Sequence, residues 1–524
     1  MASLPSGRPM LVERLLDPAA YPHPTGSIRL VETHISWVFL TGPFAYKLKK
    51  PVDLGFLDFT TLEQRKHFCE EEVRVSGRFA PEIYLAAVPI TGAADRPHVG
   101  GDGEPIEWAV KLVQFDESDR LDNRFNEARL TAADCRALGE TVARVEERLP
   151  VADPADRWGL AESVCDAVAI NLAAIRTHRP DAAPRADRIG DWLRDRLAAA
   201  APLLRDRLAA GRVRECHGDL HLANLVFHAG RMMAFDAIEF NSGLRWIDVA
   251  NDVAFLAMDL HSRGRPDLAA QVVSSWVETA NDHAAVALLP IYEVYRAVVR
   301  ASIAAIRGGQ GGDAGSRAET DRYLDLAEHL VAPGAPVMIA TSGVSGSGKS
   351  TVAAELVGRF AAIRIRSDVE RKRLAGLAAS ERPAAAGGVA VLYGEAATHG
   401  VYERLARLAA TVLAAGTSVI VDAACNQRWQ RDLLAGVSRE SGVPLVWLDF
   451  DVPADVVLAR VAVRESSGSD ASDATCAIVR QQLASREPIM SAELVATGGR
   501  CVRLAGGAVD PTAVGDRVAS VLAE

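Results

Sequence analysis

The sequence lacks the features of a membrane-spanning, secreted or disulfide-bonded protein. Its apolar runs all fall short of about 18 residues, the length that a helix needs to cross a bilayer. The N-terminal residues contain no basic region followed by an apolar stretch, so we expect no secretory signal. The seven cysteines are widely spaced and form no C-x-x-C pair, which is typical of a reducing compartment. We therefore expect a cytoplasmic protein without a cysteine-bound metal.

The sequence also lacks an excess of positive charge. Lys and Arg total 58 against 68 Asp and Glu, which gives a net charge of −10. Because binding to a phosphate backbone requires a basic surface, we expect no nucleic-acid partner, and the short apolar runs predict no membrane partner either. Hydrophobic residues make up 49% of the 524 positions. This is enough for sizeable cores, and the length predicts more than one domain.

The strongest change in composition lies at residues 307–316, where five of ten residues are glycine. Such a segment is not expected to hold a helix, so we predict a loop there, followed by a short amphipathic helix. Upstream, the patterns predict a small β-rich lobe and then a larger helical lobe. Downstream, predicted strands at 337–341, 363–366, 418–421, 445–450 and 501–504 alternate with helices. The predicted parts are an extension at 1–27, a first domain at 28–306, a linker at 307–335 and a second domain at 336–524.

The segment from Gly343 to Ser350, GVSGSGKS, matches the pattern G-x-x-x-x-G-K-S/T and lies between a predicted strand and a predicted helix. Glycines in this motif let backbone N–H groups converge on a phosphate, and the helix N-terminus adds the positive end of its dipole. Lys349 is expected to reach the β- and γ-phosphates, and the Ser350 hydroxyl to bind Mg²⁺. The predicted nucleotide-binding residues of this loop are Gly343, Ser345, Gly346, Ser347, Gly348, Lys349, Ser350 and Thr351.

Two carboxylates follow predicted strands of the second domain. Asp422 ends the apolar run 418–421 and is expected to share the metal with Ser350, a helix cap being its alternative role. Asp368 follows the strand 363–366 and is expected to orient the acceptor hydroxyl or act as a general base. Arg371 would then hold an anionic group of the acceptor. The alternative for Asp368 is an N-cap before a charged helix.

Two arginines point to a phosphate-directed lid. Arg460 and Arg464 lie four residues apart on one face of a predicted helix, directly before the Ser-rich segment 466–472. We predict that Arg460 grips the nucleotide and Arg464 reaches the transferring phosphate, ordinary solvated charge being the alternative. With the phosphate loop, these positions resemble P-loop small-molecule kinases of the gluconate kinase, adenylylsulfate kinase and zeta-toxin kind, over about residues 336–524.

The motif from His217 to Asn224, HGDLHLAN, is the strongest in the first half. Asp219 and Asn224 can face one reaction centre from one loop, Asp219 to accept or orient the proton of an acceptor hydroxyl and Asn224 to bind a metal through its amide oxygen. About a dozen residues later, the apolar run 232–235 is followed by a second carboxylate, Asp236, whose expected role is to bind Mg²⁺ bridging the nucleotide phosphates. Each element alone could instead be a polar turn.

These two motifs resemble the catalytic loop H-G-D-x-H-x-x-N and the apolar-apolar-Asp metal motif of the aminoglycoside phosphotransferase and choline kinase branch of the protein-kinase-like fold. The resemblance covers about residues 28–305. It implies that Asp219 is the catalytic aspartate, that Asn224 and Asp236 bind magnesium, and that His217 supports the loop. The later aspartates Asp248 and Asp252 resemble structural residues that brace this loop.

The same family requires a strand lysine on the nucleotide phosphates, paired with a glutamate from a helix. The segment Ala45-Tyr46-Lys47 resembles its A-x-K strand, so Lys47 is preferred, and Lys49 on the same side of the strand is the competitor. Gln114 is expected at the hinge where adenine binds. No full glycine-rich loop is evident. The candidate partners of the lysine are Glu72, which is preferred, Glu70 and Glu71.

The whole chain resembles bacterial proteins that join an aminoglycoside phosphotransferase-like domain to a P-loop kinase. This implies an α+β protein-kinase-like domain followed by an α/β domain with a parallel, doubly wound sheet. We expect two ATP- and Mg²⁺-dependent kinases that act on hydroxyl groups of sugars, aminosugars or amino alcohols. One alternative is a single active kinase beside a nucleotide-binding regulatory module, because the first domain lacks a full glycine-rich loop. Another is a toxin-like second domain that modifies a nucleotide sugar.

Overall fold

The computed structural model describes residues 8–55, 57–309, 314–332, 334–378, 381, 393–467, 475–506 and 510–523. Grouped by their internal contacts, the residues form two compact units. The first unit contains Met1–Thr131, Arg144–Ile170 and Arg194–Asp259, and the second contains Ala132–Ala143, Asn171–Leu193 and Leu260–Glu524. In the described ranges, no helix combines the length and the apolar character needed to cross a membrane.

The strands of the described residues comprise one large antiparallel set, two short pairs and one parallel set. In chain order they are β1 (Arg29–Glu32), β2 (Ser36–Leu40), β3 (Phe44–Lys49), β4 (Tyr84–Ala93), β5 (Arg96–Val99), β6 (Glu107–Val113), β7 (Val213–Glu215), β8 (Leu225–His228), β9 (Arg231–Ala234), β10 (Trp246–Asp248), β11 (Met338–Ser342), β12 (Ile363–Arg366), β13 (Val419–Asp422), β14 (Leu445–Asp451) and β15 (Arg500–Ala505).

The helices of the described residues dominate the stretch between β6 and β11. In chain order they are α1 (Met10–Arg14), α2 (Leu62–Ser76), α3 (Leu121–Asn126), α4 (Ala132–Glu146), α5 (Ala161–His178), α6 (Ala183–Ala209), α7 (Ser242–Arg245), α8 (Val249–Ser262), α9 (Pro266–Ala280), α10 (Leu289–Gly309), α11 (Ala314–Val331), α12 (Lys349–Phe360), α13 (Ser367–Leu374), α14 (Glu395–Ala414), α15 (Arg428–Ser441), α16 (Ala454–Ser467), α17 (Cys476–Ala484), α18 (Ser491–Thr497) and α19 (Pro511–Ala523).

The first unit contains a six-stranded antiparallel sheet in the order β1-β2-β3-β6-β4-β5. Strands β2 and β3 form a hairpin, and Gly42 in the turn between them has a φ of 102°. Helix α2 begins with a capping box formed by Thr61 and Gln64. Its buried side, including Cys69, packs with Val110 of β6. This packing brings the buried Glu72 of α2 towards the strand that carries the candidate lysines.

The prediction that the glycine-rich segment 307–316 cannot hold a helix is wrong for its two ends. Helix α10 continues through Gly309 and α11 begins at Ala314, while residues 310–313 lie outside the described part. Tertiary packing outweighs the low helix propensity of glycine here, because α10 and α11 contact each other extensively. Tyr323 and Leu324 of α11 are buried, which confirms the predicted amphipathic helix.

The second unit contains a five-stranded sheet in the order β12-β13-β11-β14-β15, and every described pair in it is parallel. The predicted doubly wound sheet is therefore confirmed, and its five strands match the predicted ones to within one residue at either end. The chain leaves β11 first towards one side of the sheet and later towards the other. Parallel sheets bind ligands at such a switch point, beyond the carboxyl ends of the strands, and the phosphate loop follows β11 at this edge.

Candidate functional site

The loop that begins at His217 is held by a carboxylate from helix α8. Asp252 accepts hydrogen bonds from the N–H groups of His217 and Gly218, both at 2.9 Å. His217 Nε2 lies 2.9 Å from the carbonyl oxygen of Phe235, and since a carbonyl only accepts, we assign the ring proton to Nε2. Nδ1 then accepts the N–H of Asp219 at 3.3 Å. Burial lowers the pKa of His217, so the neutral ring keeps this arrangement near neutral pH.

Asp219 and Asn224, predicted to face one reaction centre, are in direct contact. The Nδ2 of Asn224 donates to both the carbonyl oxygen and Oδ2 of Asp219, each at 3.0 Å. His221 Nε2 lies 3.3 Å from the same Oδ2, and the Asp219 side chain is 36% exposed. The carboxylate is thus oriented by the loop while it remains reachable by an acceptor. With Nδ2 turned to Asp219, Oδ1 is the Asn224 atom that could bind a metal ion.

Glu72 lies between the two candidate lysines. Its Oε1 is 2.9 Å from Lys47 Nζ and its Oε2 is 2.8 Å from Lys49 Nζ. Lys47 also forms an ion pair with Asp236, and Lys49 forms one with Glu239. Burial alone would raise the pKa of Glu72, but the two facing ammonium groups lower it. The structure therefore places Lys47 beside the predicted metal ligand, and Lys49 in a fully buried ion-pair cluster.

The other predicted residues of this site take different positions. Glu71 pairs with Arg74 at 2.7 Å, and Glu70 lies 3.9 Å from Lys66 with its side chain half exposed. Among the three candidate glutamates, it is Glu72 that contacts the strand lysines. The Oε1 of Gln114 accepts the N–H of Gly42 at 3.0 Å, so this side chain secures the turn between β2 and β3.

Asp236 has an unusual backbone conformation for a non-glycine residue. Its φ is 63°, in the left-handed region, and its N–H donates to the hydroxyl of Tyr84 at 2.9 Å. Such strain is concentrated at functional sites. The preceding residue, Phe235, donates its N–H to the carbonyl oxygen of Asn224 at 2.9 Å, so the two predicted metal ligands come from adjacent segments. Carboxylate and amide oxygens are the ligand types that Mg²⁺ prefers, and the donor set fits this ion.

Replacing Gly218 by alanine should destabilise the loop. Gly218 has a φ of 81°, and a Cβ there would lie 2.7 Å from the carbonyl oxygen of Leu244. Gly230, with a φ of 80° and no atom within 4 Å of such a Cβ, provides the matched control. Both substitutions should lower the free energy of unfolding by about 1–2 kcal/mol for the left-handed conformation. Gly218→Ala should cost a further ~1–3 kcal/mol for the steric contact.

Denaturant unfolding of both variants measures this difference. Equal losses in Gly218→Ala and Gly230→Ala would contradict the contact with Leu244.

The second unit contains the predicted phosphate loop, Gly343 to Ser350, which forms the turn after β11 and the first two residues of α12. Gly343, Gly346 and Gly348 have φ values of 141°, 85° and 94°. A Cβ at Gly346 would lie 2.7 Å from a methyl carbon of Val461, so both conformation and space require glycine. The Nζ of Lys349 folds back over the loop and donates to the carbonyl oxygen of Val344 at 2.8 Å.

The structure brings the two predicted metal ligands of the second site together. The Ser350 hydroxyl donates to Asp422 Oδ1 at 3.3 Å. Asp422 Oδ2 is buried and has no hydrogen-bond partner within the described ranges, although Arg364 Nε lies 3.6 Å away. Because a buried carboxylate oxygen without a hydrogen bond is costly, a cation beside Ser350 would stabilise it. The arrangement fits Mg²⁺.

A cavity of about 960 Å³ collects most of the predicted residues of the second site. Asp368, Arg371, Asp422 and Arg460 line it together with the phosphate loop. Arg371 donates to the Thr398 hydroxyl at 3.3 Å, and Arg460 donates to the carbonyl oxygen of Gly346, also at 3.3 Å. The side chain of Arg464 lies outside the described residues, as do residues 468–474 of the predicted lid region.

The cavity residues that were not predicted from the sequence include Gln482, His399, Trp429 and Asn426. Gln482 Oε1 accepts the N–H of Ser345 at 2.8 Å, in the middle of the phosphate loop. His399 and Trp429 stack in the cavity wall with ring centroids 3.9 Å apart. Asn426 Oδ1 is buried and makes no hydrogen bond to the described part of the chain. Asn426 and Trp429 follow strand β13 closely, so their place after a parallel strand was a usable signal, whereas Gln482 and His399 had none.

Comparisons with known proteins match both halves of the chain. A model of the phosphotransferase enzyme family matches residues 62–289, and a model described as an AAA domain matches residues 338–489. The uncharacterized protein Rv2004c of Mycobacterium tuberculosis is 31% identical over 455 residues, covering 84% of this chain and 87% of the relative.

Solved structures of kinases are also similar. A choline/ethanolamine kinase family protein from Mesorhizobium loti is 13% identical, covering 61% of this chain and 92% of that one, with a TM-score of 0.36. The APS kinase CysC of Mycobacterium tuberculosis, in complex with AMPPNP and APS, is 20% identical, covering 37% of this chain and all of that one (100%), with a TM-score of 0.26.

Proposed function

Since the chain belongs to the family of the mycobacterial protein Rv2004c and joins a phosphotransferase-family domain to a P-loop kinase domain, it is an ATP-dependent phosphotransferase, and we propose that both domains transfer phosphate. In each, the acceptor is a hydroxyl group of a small polar metabolite such as a sugar, an aminosugar or an amino alcohol. The chain would thus be a bifunctional kinase that uses Mg²⁺ at both sites.

One observation carries the proposal for the first domain. Lys47 in β3, Glu72 in α2 and Asp236 after β9 form a continuous chain of ion pairs, although Lys47 and Asp236 are 189 positions apart. Lys47 would bind the nucleotide phosphates, and Asp236 and Asn224 would hold Mg²⁺, which offsets the charge of the phosphates when bound.

Asp219 would orient the acceptor for in-line transfer. Its carboxylate accepts the hydroxyl proton as the acceptor oxygen bonds to the γ-phosphorus, and the bond from phosphorus to the bridging oxygen breaks to release ADP. The contacts from Asn224 and His221 support this role because they fix Oδ2 without enclosing the carboxylate.

The second site supports the same reaction with other residues. Lys349 would leave the carbonyl of Val344 to bind the β- and γ-phosphates, and Ser350 with Asp422 would hold Mg²⁺. Asp368 lines the same cavity and would orient the acceptor hydroxyl, while Arg460 would grip the nucleotide and Arg371 an anionic group of the acceptor.

A specific contact favours a second candidate for the first domain. The N–H of Gly42, in the turn where kinases of this kind cover the phosphates, donates to Gln114. If this bond persists in the presence of ATP, the first domain would bind nucleotide weakly and serve as a regulatory module for the second.

The full chain should transfer label from γ-labelled ATP to metabolites. It would be incubated with Mg²⁺, labelled ATP and fractions of sugars, aminosugars and amino alcohols, and the labelled products would be separated. We expect phosphate monoesters that alkaline phosphatase removes. Label that appears solely as inorganic phosphate, with every fraction, would contradict the proposal. Products that depend on Lys349 but never on Asp219 would favour the regulatory alternative.

A further inference from the structure

Helix α9 covers the edge of strand β12, which pairs with β13 on its other side. The hydroxyl of Ser274 accepts the N–H of Arg364 at 2.9 Å, in place of a further strand. Gln271 of the same helix donates to the carbonyl oxygen of Ala354 in α12 at 2.9 Å. An uncovered strand edge exposes unpaired backbone groups, so α9 completes this side of the parallel sheet.

Glu278 of α9 fixes an arginine of the cavity wall. Its carboxylate receives both arms of the Arg366 guanidinium, with Nε to Oε2 at 2.8 Å. Arg366 lines the cavity two positions before Asp368. The carbonyl oxygen of Glu278 also accepts a hydrogen bond from Arg373 in α13 at 2.6 Å. Such a two-armed contact sets the direction of a guanidinium, and not merely its distance from the carboxylate.

The second arginine of β12 reaches the proposed metal ligands. Side chains alternate along a strand, so Arg364 lies on the same side of β12 as Arg366. The guanidinium of Arg364 is 3.6 Å from Asp422 Oδ2, and it donates to the carbonyl oxygen of Ser350 at 3.4 Å. Through Ser274 and Glu278, helix α9 therefore holds the strand whose side chains face the metal pair and the acceptor side of the cavity.

We propose that Glu278 is a positioning residue of the second catalytic site, acting through Arg366 on the acceptor side of the cavity. The proposal rests on the kinase function proposed for this site. Helix α9 lies inside the phosphotransferase match, residues 62–289, and outside the AAA-domain match, residues 338–489. Transfer by the P-loop kinase thus depends on a helix that belongs to the sequence of the other kinase.

Replacing Glu278 by glutamine in the full chain should raise the KM for the acceptor of the Lys349-dependent reaction. The side chain keeps its volume but loses the charge that orients Arg366. We expect an increase of about tenfold, the scale of losing one hydrogen bond to a charged group, with a smaller change in kcat. The Kd for ATP, measured by calorimetry with Mg²⁺, should stay the same because Glu278 does not line the cavity.

Glu328→Gln is the matched control. Glu328 of α11 also receives two arms of an arginine, Arg185, at 3.1 and 2.7 Å, and neither residue lines the cavity. The KM of the Glu328→Gln variant for the acceptor should equal that of the unaltered chain. In an Arg366→Leu background, Glu278→Gln should have no additional effect on KM. An unchanged KM in Glu278→Gln, or an effect that persists in full without Arg366, would overturn the proposal.

Hydrogen exchange separates this proposal from the function on which it rests. Residues 363–374 should exchange faster in Glu278→Gln than in Glu328→Gln, whether or not an acceptor is known. Unchanged exchange there would refute the positioning role. A chain without any Lys349-dependent product would refute the kinase function of the second site, while faster exchange at 363–374 would still support the role of α9.

Discussion

Replacing Asp219 by asparagine should reduce transfer by the first domain ~10²–10⁴-fold, the usual scale for a positioned acid–base group. Asparagine has the same shape and can still accept from Asn224, but it cannot take the acceptor proton. Since the Asp219 side chain is 36% exposed and the loop is held by Asp252, the fold should be unaffected. The rate would be measured with an acceptor from the labelled-product screen, alongside thermal unfolding.

Asp252→Asn provides the contrast to this result. Asp252 is fully buried and accepts two backbone N–H groups of the same loop. In asparagine, one of the two accepting oxygens becomes an NH₂ group, which would face a backbone N–H donor. We expect a loss of about 1–3 kcal/mol in the free energy of unfolding, together with lower activity. Full transfer by Asp219→Asn, or a loss of stability equal to that in Asp252→Asn, would show that Asp219 is not the chemical group.

Local motifs allowed much of both sites to be predicted from the sequence. The residues around Asp219 lie in one loop and those around Lys349 in another, so their spacing already determines which atoms can meet. The parallel strands were also predictable, because short strand-like segments alternate with helical ones along this part of the sequence. Glu72 was preferred as the partner of the strand lysine, but the sequence could not exclude Glu70 and Glu71. The direction in which each glutamate points depends on how α2 packs against β6.

The features that could not be predicted depend on contacts between distant residues. Gln482 meets Ser345 across 137 positions, and Glu278 meets Arg366 across 88, so no spacing pattern links either pair. The prediction that residues 307–309 would not be helical was wrong for the same reason. Glycine has a low helix propensity, but packing between α10 and α11 outweighs it, and that packing is not evident from the composition of ten residues.

Replacing Lys349 by methionine should reduce transfer by the second domain, again by ~10²–10⁴-fold. Methionine preserves the buried stem of the side chain but removes the ammonium that would bind the transferring phosphate. The Val344 carbonyl, which accepts from Lys349 at 2.8 Å, lies in a loop already shaped by its glycines, so unfolding should change little. Arg359→Met, at the far end of α12, removes an exposed cation paired with Asp516 and should retain full activity.

The products lost in Lys349→Met and in Asp219→Asn decide how the two sites are related. Independent kinases would lose separate products, and the double variant would lose all of them. Kinases in series would form a doubly phosphorylated product that both variants lose. A singly phosphorylated intermediate would then accumulate in the variant that keeps the site acting first in the series. Full transfer by Lys349→Met would remove the second domain from the reaction. It would then leave the phosphate loop as a nucleotide-binding element without chemistry.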